Sequence, residues 1–221
     1  GAGPALAEAA AIARAAATLG VPVGFALGMR DRNPLVMGDH AALLAALPSE
    51  TAAQVQRAWL APPPSVAEQL ARVDEIANEL AAPGFDVQYG PNGVQWCSDA
   101  LLEAIAEASA TTGRRVHMHL LETKPQRDWA DATFADGIVP HLDRLGLLSP
   151  RLTVAHAVWA RPDELALLAE RGVRIVVNPS SNLHLASGVA PVTAMRQAGV
   201  EVALGLDGCA LDEDDDALRE L

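Results

Sequence analysis

A chain of 221 residues is long enough to bury a core in a single α/β domain, and a composition half hydrophobic and only 4 % aromatic suits a globular protein. A net charge of −12 without basic clusters argues against a nucleic-acid partner, and no stretch offers the roughly 20 consecutive apolar residues of a membrane helix or the pattern of a secretory leader. Two cysteines, Cys97 and Cys209, are too few for a disulfide framework and lack zinc-finger or CxxC spacing, so both are expected as small core residues in a reducing cytoplasm.

The Ala-rich run Pro4–Leu19 predicts a helix ended by Gly20. Val21–Gly28 is a continuous apolar run of the kind found in buried parallel strands. It leads into the polar loop Met29-Arg30-Asp31-Arg32-Asn33-Pro34. Asp39–Leu47 and Glu50–Leu60 predict two short helices, with His40 at the start of the first. After Pro62-Pro63-Pro64, Ser65 and Glu68 form a capping box for a helix over Ser65–Ala81. Asp86–Tyr89 predicts a short strand running into the turn-rich loop from Gly90 to Trp96. Ser98 caps a helix that reaches Thr112 and stops at Gly113.

Arg114-Arg115-Val116-His117-Met118-His119 predicts a strand, with His117, His119 and Leu121 on one side and Met118 and Leu120 on the other. Lys124–Phe134 and Gly137–Leu145 are predicted helical, with Pro140 bending or starting the second. Leu152–Val158 predicts a strand, and Pro162 opens a helix that Gly172 ends. Arg174–Val177 is the next strand and leads into a rim loop, Asn178-Pro179-Ser180-Ser181-Asn182. A helix over Val192–Ala198 and a strand from Glu201 towards Asp207 complete the pattern. The acidic run Asp212-Glu213-Asp214-Asp215-Asp216 is expected as a solvated loop or helix start.

Six strands alternating with helices predict a parallel sheet with right-handed crossovers. No GxGxxG follows any strand, which counts against a dinucleotide fold. Polar residues instead stand at the carboxyl ends of several strands: His117 and His119 with Glu122, then His156, then Asp207. Burying two imidazoles and a carboxylate together is costly unless something binds there. A (β/α)8 barrel builds its site from such strand ends but needs eight strands and typically about 250 residues. The expectation is therefore α/β, a partial (β/α)8 TIM-type barrel of parallel strands alternating with helices, treated as one domain over residues 1–221.

The segments His119-Leu-Leu-Glu122, His156 at a strand end, Asn178-Pro-Ser-Ser-Asn182-Leu-His-Leu-Ala-Ser-Gly188 and Gly205-Leu-Asp207-Gly together resemble the amidohydrolase superfamily. The branch they are most similar to holds the cytosine, guanine, adenosine-derivative and triazine deaminases and chlorohydrolases. The resemblance implies metal ligation by His119 and Asp207, with one divalent ion, zinc or iron(II). It implies proton transfer to a substrate ring nitrogen by Glu122, and water orientation or substrate polarisation by His156. It assigns Asp207 a second role, taking the proton from the attacking water. Asn182 lines the rim, and Arg30 falls where relatives place a substrate-contacting cation, although an ion pair with Asp31 is the alternative. Gln95 and Trp96 are placed to stack on a planar ring, or Trp96 simply packs. Neutral imidazoles and carboxylates are natural ligands for these metals. The H-x-E and P-C-x-x-C signature of the other zinc deaminases is absent.

The family's first-strand HxH does not occur here, since His117-x-His119 stands at the fifth-strand position. The chain is thus expected to be an internal piece of a longer protein, without the first two barrel strands and the flanking β-sandwich. His117 is expected in a structural role, and His141 and His184 on the surface or in loops. The implied function is metal-dependent hydrolysis of non-peptide C–N bonds. The implied substrate is a purine, pyrimidine, pterin or triazine-like amine, deaminated by metal-activated hydroxide. The implied parent is a cytoplasmic homo-oligomer with neither membrane nor nucleic-acid partners. The alternative is a non-catalytic barrel piece that binds or assembles.

Overall fold

The computed structural model describes residues 3–32, 35, 39–208 and 216–220, arranged as two compact units divided after Arg114. In the first unit, helix α1 (Gly3–Leu19) leads to strand β1 (Val23–Met29), and α2 (His40–Ala46), α3 (Ser49–Trp59) and α4 (Val66–Glu79) precede strand β2 (Phe85–Pro91) and α5 (Asp99–Thr112). β1 and β2 pair in parallel, from Val23 opposite Phe85 to Met29 opposite Pro91. The second unit alternates β3 (Val116–Leu120), α6 (Lys124–Thr133), α7 (Ile138–Arg144), β4 (Leu152–His156), α8 (Pro162–Glu170), β5 (Arg174–Val177), α9 (Pro179–His184), α10 (Val192–Gln197) and β6 (Glu201–Leu204). Its strands pair in parallel in chain order, with Met118 opposite Val154, Val154 opposite Ile175 and Ile175 opposite Val202. Parallel strands in sequential order with helical crossovers are the build of part of a (β/α)8 barrel.

Local chemistry accounts for the helix ends. The Ser65 hydroxyl accepts from Glu68 N at 3.3 Å while the Glu68 carboxylate accepts from Ser65 N at 2.8 Å, completing the capping box and holding the Glu68 carboxyl below its usual pKa. Asp39 accepts from Ala41 N at 2.8 Å, which places His40 at the start of α2. Gly113 takes φ 75° after α5, a left-handed stop that costs glycine little. Pro140 falls within the first turn of α7, where its missing N–H breaks no helical bond.

Packing follows the expected periodicities. α4 buries Gln69, Val73 and Ile76 along one stripe, and α5 buries Leu101, Leu102 and Ile105. In the second unit the core joins Met118, Leu120, Val154 and Ile175 with Leu142 of α7, Leu165 and Leu168 of α8 and Met195 of α10. Between α6 and α8 lies a buried ion pair, with both Glu164 oxygens 2.8 Å from Arg127 Nη1 and the Arg127 Nη2 bonded to Asp131 at 2.5 Å. Among the described residues, no helix is long and apolar enough to cross a membrane.

Four local expectations need correction. β1 is only half-buried, alternating intermediate and exposed positions up to Met29; it stands first in the strand order and pairs with β2 alone among the described residues. β4 and β6 are shorter than predicted: β4 stops at His156, where the backbone turns left-handed at His156 and Ala157, and β6 stops at Leu204, with one more bond from Gly205 N to Val177 O at 2.9 Å before the left-handed Asp207. Gly90 and Pro91 extend β2, and Val94–Trp96 forms one 3-10 turn rather than open loop. The rim segment after β5 is helical, since Pro179 at the first position fixes a helical φ. Cys209, Asp212, Glu213, Asp214 and Asp215 lie outside the described residues, as do Asn33 and Pro34; Asp216 is exposed and its carboxylate accepts from Leu218 N at 3.0 Å.

Candidate metal centre

The site is made where strands of the second unit end. On β3, Val116, Met118 and Leu120 are buried while His117 and His119 alternate with them, half-buried, as a pleated strand requires. The alternation stops there. Leu121 takes φ 50°, leaves the pleat and is fully buried, so it does not share the imidazole face. Beyond the strand, Ala157 N and Trp159 N donate to the Leu120 and Leu121 carbonyls, each at 3.0 Å, so the β3 and β4 ends stay joined past their ladder. Glu122 follows with its backbone N–H on Gln126 Oε1 at 2.7 Å, and Thr123 caps α6. Sparsely populated backbone held by surrounding bonds is a feature of functional sites.

These ends bring four side chains together. The His119 and His156 rings are stacked with centroids 5.5 Å apart and planes 18° from parallel. His156 Nε2 lies 3.9 Å from both Glu122 Oε2 and Asp207 Oδ2, too far for hydrogen bonds. One ligand atom each from His119, His156 and Asp207 falls within 4.8 Å of the others. Two bonds of about 2.1 Å to one ion span at most about 4.2 Å. The His156–Asp207 separation already fits that limit; in a tetrahedral shell two such ligands stand about 3.4 Å apart, so the group as a whole needs closure of up to about 1.4 Å. Two imidazoles and a carboxylate also form a donor set suited to zinc or iron(II), so the residues fit the ion. Glu122 and Asp207 side chains keep 20 % and 27 % exposure, whereas His156 keeps 1 %, which leaves solvent access on the carboxylate side. Burial first, and then the neighbouring His119 and His156 imidazoles, hold the His117 pKa below the usual imidazole value.

Helix α9 closes the inner side. Asn182, expected to line the rim, is 2 % exposed and sets its Oδ1 2.9 Å from His156 Nδ1. Ser181 Oγ donates to Asp207 Oδ2 at 2.5 Å. Asn178 stands at the helix N-cap without capping it, its amide instead lying 3.3 Å from His156 Nδ1. Gly205 makes room for that amide: a Cβ there would lie 2.3 Å from Asn178 Oδ1 and 2.7 Å from Val176 Cγ1. Sequence reasoning missed the contacts of Ser181, Asn178, Gln126 and Gly205; Asn178, Ser181 and Gly205 lie inside segments that carry the family resemblance but have no role assigned there.

Three expected substrate residues belong to the first unit. Arg30 is exposed, and its backbone is held by Gln69, whose amide accepts from Arg30 N at 3.1 Å and donates to Arg30 O at 3.2 Å. The expected alternative partner, Asp31, gives both carboxylate oxygens to Ser98 N and Oγ, at 2.6 and 2.5 Å. Gln95 is buried, and Trp96 is half-buried with its carbonyl accepting from Asp31 N and Arg32 N. Cys97 is fully buried, and burial pushes its thiol up to about 11, as an inert core cysteine requires. His141 stacks on Phe134 at 4.4 Å, and His184 is exposed at the end of α9.

Imidazole and carboxylate side chains gathered at the carboxyl ends of parallel strands, three of them with ligand atoms within 4.8 Å, make a candidate metal centre at the place where (β/α)8 barrels build their sites. The sequence matches the amidohydrolase family over residues 4–219, and the chain belongs to that family. It is 36 % identical over 152 residues to a 5'-deoxyadenosine deaminase of Methanothermobacter thermautotrophicus, a match covering 68 % of this chain and 35 % of the relative. The structure superposes on an adenosine deaminase from Xanthomonas campestris with bound zinc at a TM-score of 0.68, 34 % identity and coverage of 74 % and 37 % of the two chains. It also superposes on the atrazine chlorohydrolase of Arthrobacter aurescens TC1 complexed with zinc, at a TM-score of 0.75 and 21 % identity, covering 94 % of this chain and 42 % of that one. At that identity the likeness speaks for the fold. The chain spans about a third of the length of the curated relatives it matches.

Proposed function

We propose that this chain carries the greater part of the catalytic centre of a metal-dependent aminohydrolase that deaminates an amine-bearing heterocycle of the adenine type. The observation that carries the reading is the convergence of His119, His156 and Asp207 ligand atoms within 4.8 Å, with Glu122 3.9 Å from His156. The purine-nucleoside deaminases among the relatives favour an adenine-type ring over a pyrimidine, pterin or triazine. His119 and Asp207, with His156 beside them, would hold one zinc or iron(II) ion. Bound there, the ion supplies Lewis acidity, which draws the pKa of water from near 16 to about 7.

The chain's own groups then move the protons. Asp207 accepts one from the attacking water as its oxygen bonds to the amino-bearing ring carbon. Glu122 delivers one to the adjacent ring nitrogen, and His156 orients the incoming oxygen. The C–N bond breaks as Asp207 passes its proton to the amino nitrogen, which leaves as ammonia, and the oxygen kept on the ring becomes a carbonyl as its remaining proton returns to Glu122. Water and amine are thus exchanged for ammonia and a ring carbonyl. Positioned carboxylates contribute typically 10²–10⁴-fold in such proton transfers. Arg30 is assigned to the substrate on the family resemblance, and Gln95 and Trp96 on their place in the turn after β2.

Glu122→Gln tests the assignment. The variant retains metal, measured by elemental analysis at about one ion per chain, while ammonia release from adenine nucleosides falls at least about 100-fold. Wild-type turnover in that variant refutes the role of Glu122. Wild-type protein that binds no metal instead favours the non-catalytic scaffold.

A further inference from the structure

We propose that α9 is a positioning element, in which Asn182 holds His156 as the tautomer protonated at Nδ1, leaving Nε2 bare towards Glu122 and Asp207. The inference rests on the metal-centre reading but does not depend on the reaction catalysed. An imidazole nitrogen has one in-plane site, either an N–H or a lone pair. Two amides approach His156 Nδ1 with opposite demands: Asn182 Oδ1 at 2.9 Å needs an N–H, and Asn178 Nδ2 at 3.3 Å needs a lone pair. The first distance is at the centre of the hydrogen-bond range, and the second is 0.4 Å longer, at the weak end of it. The oxygen of Asn182 therefore takes the proton, and Nε2 is left as the ring's free donor atom.

The bracing is built for this. Asn182 is fixed by its own backbone, with its N–H on the Asn178 carbonyl at 2.9 Å and its carbonyl receiving Ser187 N at 2.8 Å. The Ser187 carbonyl in turn accepts from Trp159 Nε1 at 2.7 Å, tying the end of α9 to the segment after β4. The preceding residue of the same turn, Ser181, donates to Asp207. A single six-residue helix thus aims two of the three ligand side chains, and its side chains that do so are buried. A ligand imidazole whose other nitrogen donates to a fixed acceptor is locked in orientation, and removing such partners typically costs 10–100-fold in metal affinity or activity.

Long-range 1H–15N correlation spectra of the metal-free protein read the tautomer directly, with the His156 signals identified by their loss in His156→Gln. Wild-type protein is expected to show pyrrole-type Nδ1 and pyridine-type Nε2. Asn182→Leu keeps the side-chain size but offers no acceptor, and is expected to show a tautomer mixture with zinc affinity reduced 10–100-fold. Asn182→Asp keeps an acceptor and is expected to restore the wild-type pattern and bring zinc affinity to within a few-fold. Pyridine-type Nδ1 in the wild type overturns the proposal, a result that needs no variant to fold. So does a folded Asn182→Leu protein with unchanged tautomer and unchanged zinc affinity. A protonated Nδ1 in a zinc-loaded protein that releases no ammonia refutes the deaminase reading alone; a bare Nδ1 in an active enzyme refutes this one alone.

Discussion

Gly205→Ala is the smallest change that probes how the strand ends and α9 fit together. The added methyl would stand 2.3 Å from Asn178 Oδ1 and 2.7 Å from Val176 Cγ1, both well inside the approach that real Cβ atoms make. The Asn178 amide can swing away only by moving off His156, and Val176 is anchored in β5 opposite Ala155 and Ala203. Overpacking of this kind costs about 1–3 kcal/mol. For a chain of this size each kcal/mol shifts Tm by about 2–4 °C, so a drop of about 2–12 °C is expected by far-UV circular dichroism. Gly208→Ala is the control, because a Cβ there meets nothing within 4 Å and should stay within about 0.5 kcal/mol of wild type. Equal melting of Gly205→Ala, Gly208→Ala and wild type would show that Gly205 is not needed for close approach.

Two further perturbations test the packing and the charge of the second unit. Glu164→Gln takes the carboxylate at 2.8 Å from the buried Arg127 guanidinium and leaves it the ion pair with Asp131, at a cost of about 3 kcal/mol, whereas Arg127→Met with Glu164→Leu recovers most of the loss; single and double variants that melt together refute this. Hydrogen bonds from Arg171 at 2.7 and 2.9 Å hold the Asp143 carboxyl below its usual pKa of 3.8, so the stability it confers is present above about pH 4 and lost as pH falls through the lower folded value. Asp143→Asn should therefore lower Tm at neutral pH and flatten its decline below about pH 4. An unchanged acid limb in that variant would refute the linkage.

The strands and the residues at their ends were legible because both signals are local. Alternation marked β3 and apolar runs marked β4 to β6, and His119, His156 and Asp207 each stood at or near the end of such a segment. What the sequence hid is of two kinds. Ser181 meets Asp207 across 26 residues, and Asn182 meets His156 across the same separation; neither periodicity nor turn chemistry reports such pairings. The segment Asn178-Pro179-Ser180-Ser181-Asn182 consists of residues that favour turns; Pro179 suits the start of a helix as well as a turn, and tertiary contacts decide that a short helix is completed. Gly205 stands in one of the segments that carry the family resemblance, and why a glycine is needed there becomes visible only when Asn178 is seen against it.

His156 and Asp207 both sit on left-handed backbone, at φ 73° and 66°. Among residues with a Cβ, histidine, asparagine and aspartate enter that region most readily, and branched side chains hardly at all. The residue types that tolerate the sharp reversal are therefore the same ones that carry a nitrogen or oxygen lone pair. Any substitute at either position faces a double selection, for a donor atom and for a main chain that bends the wrong way. The range of sequences that can keep this corner is narrower than its coordination chemistry alone would demand.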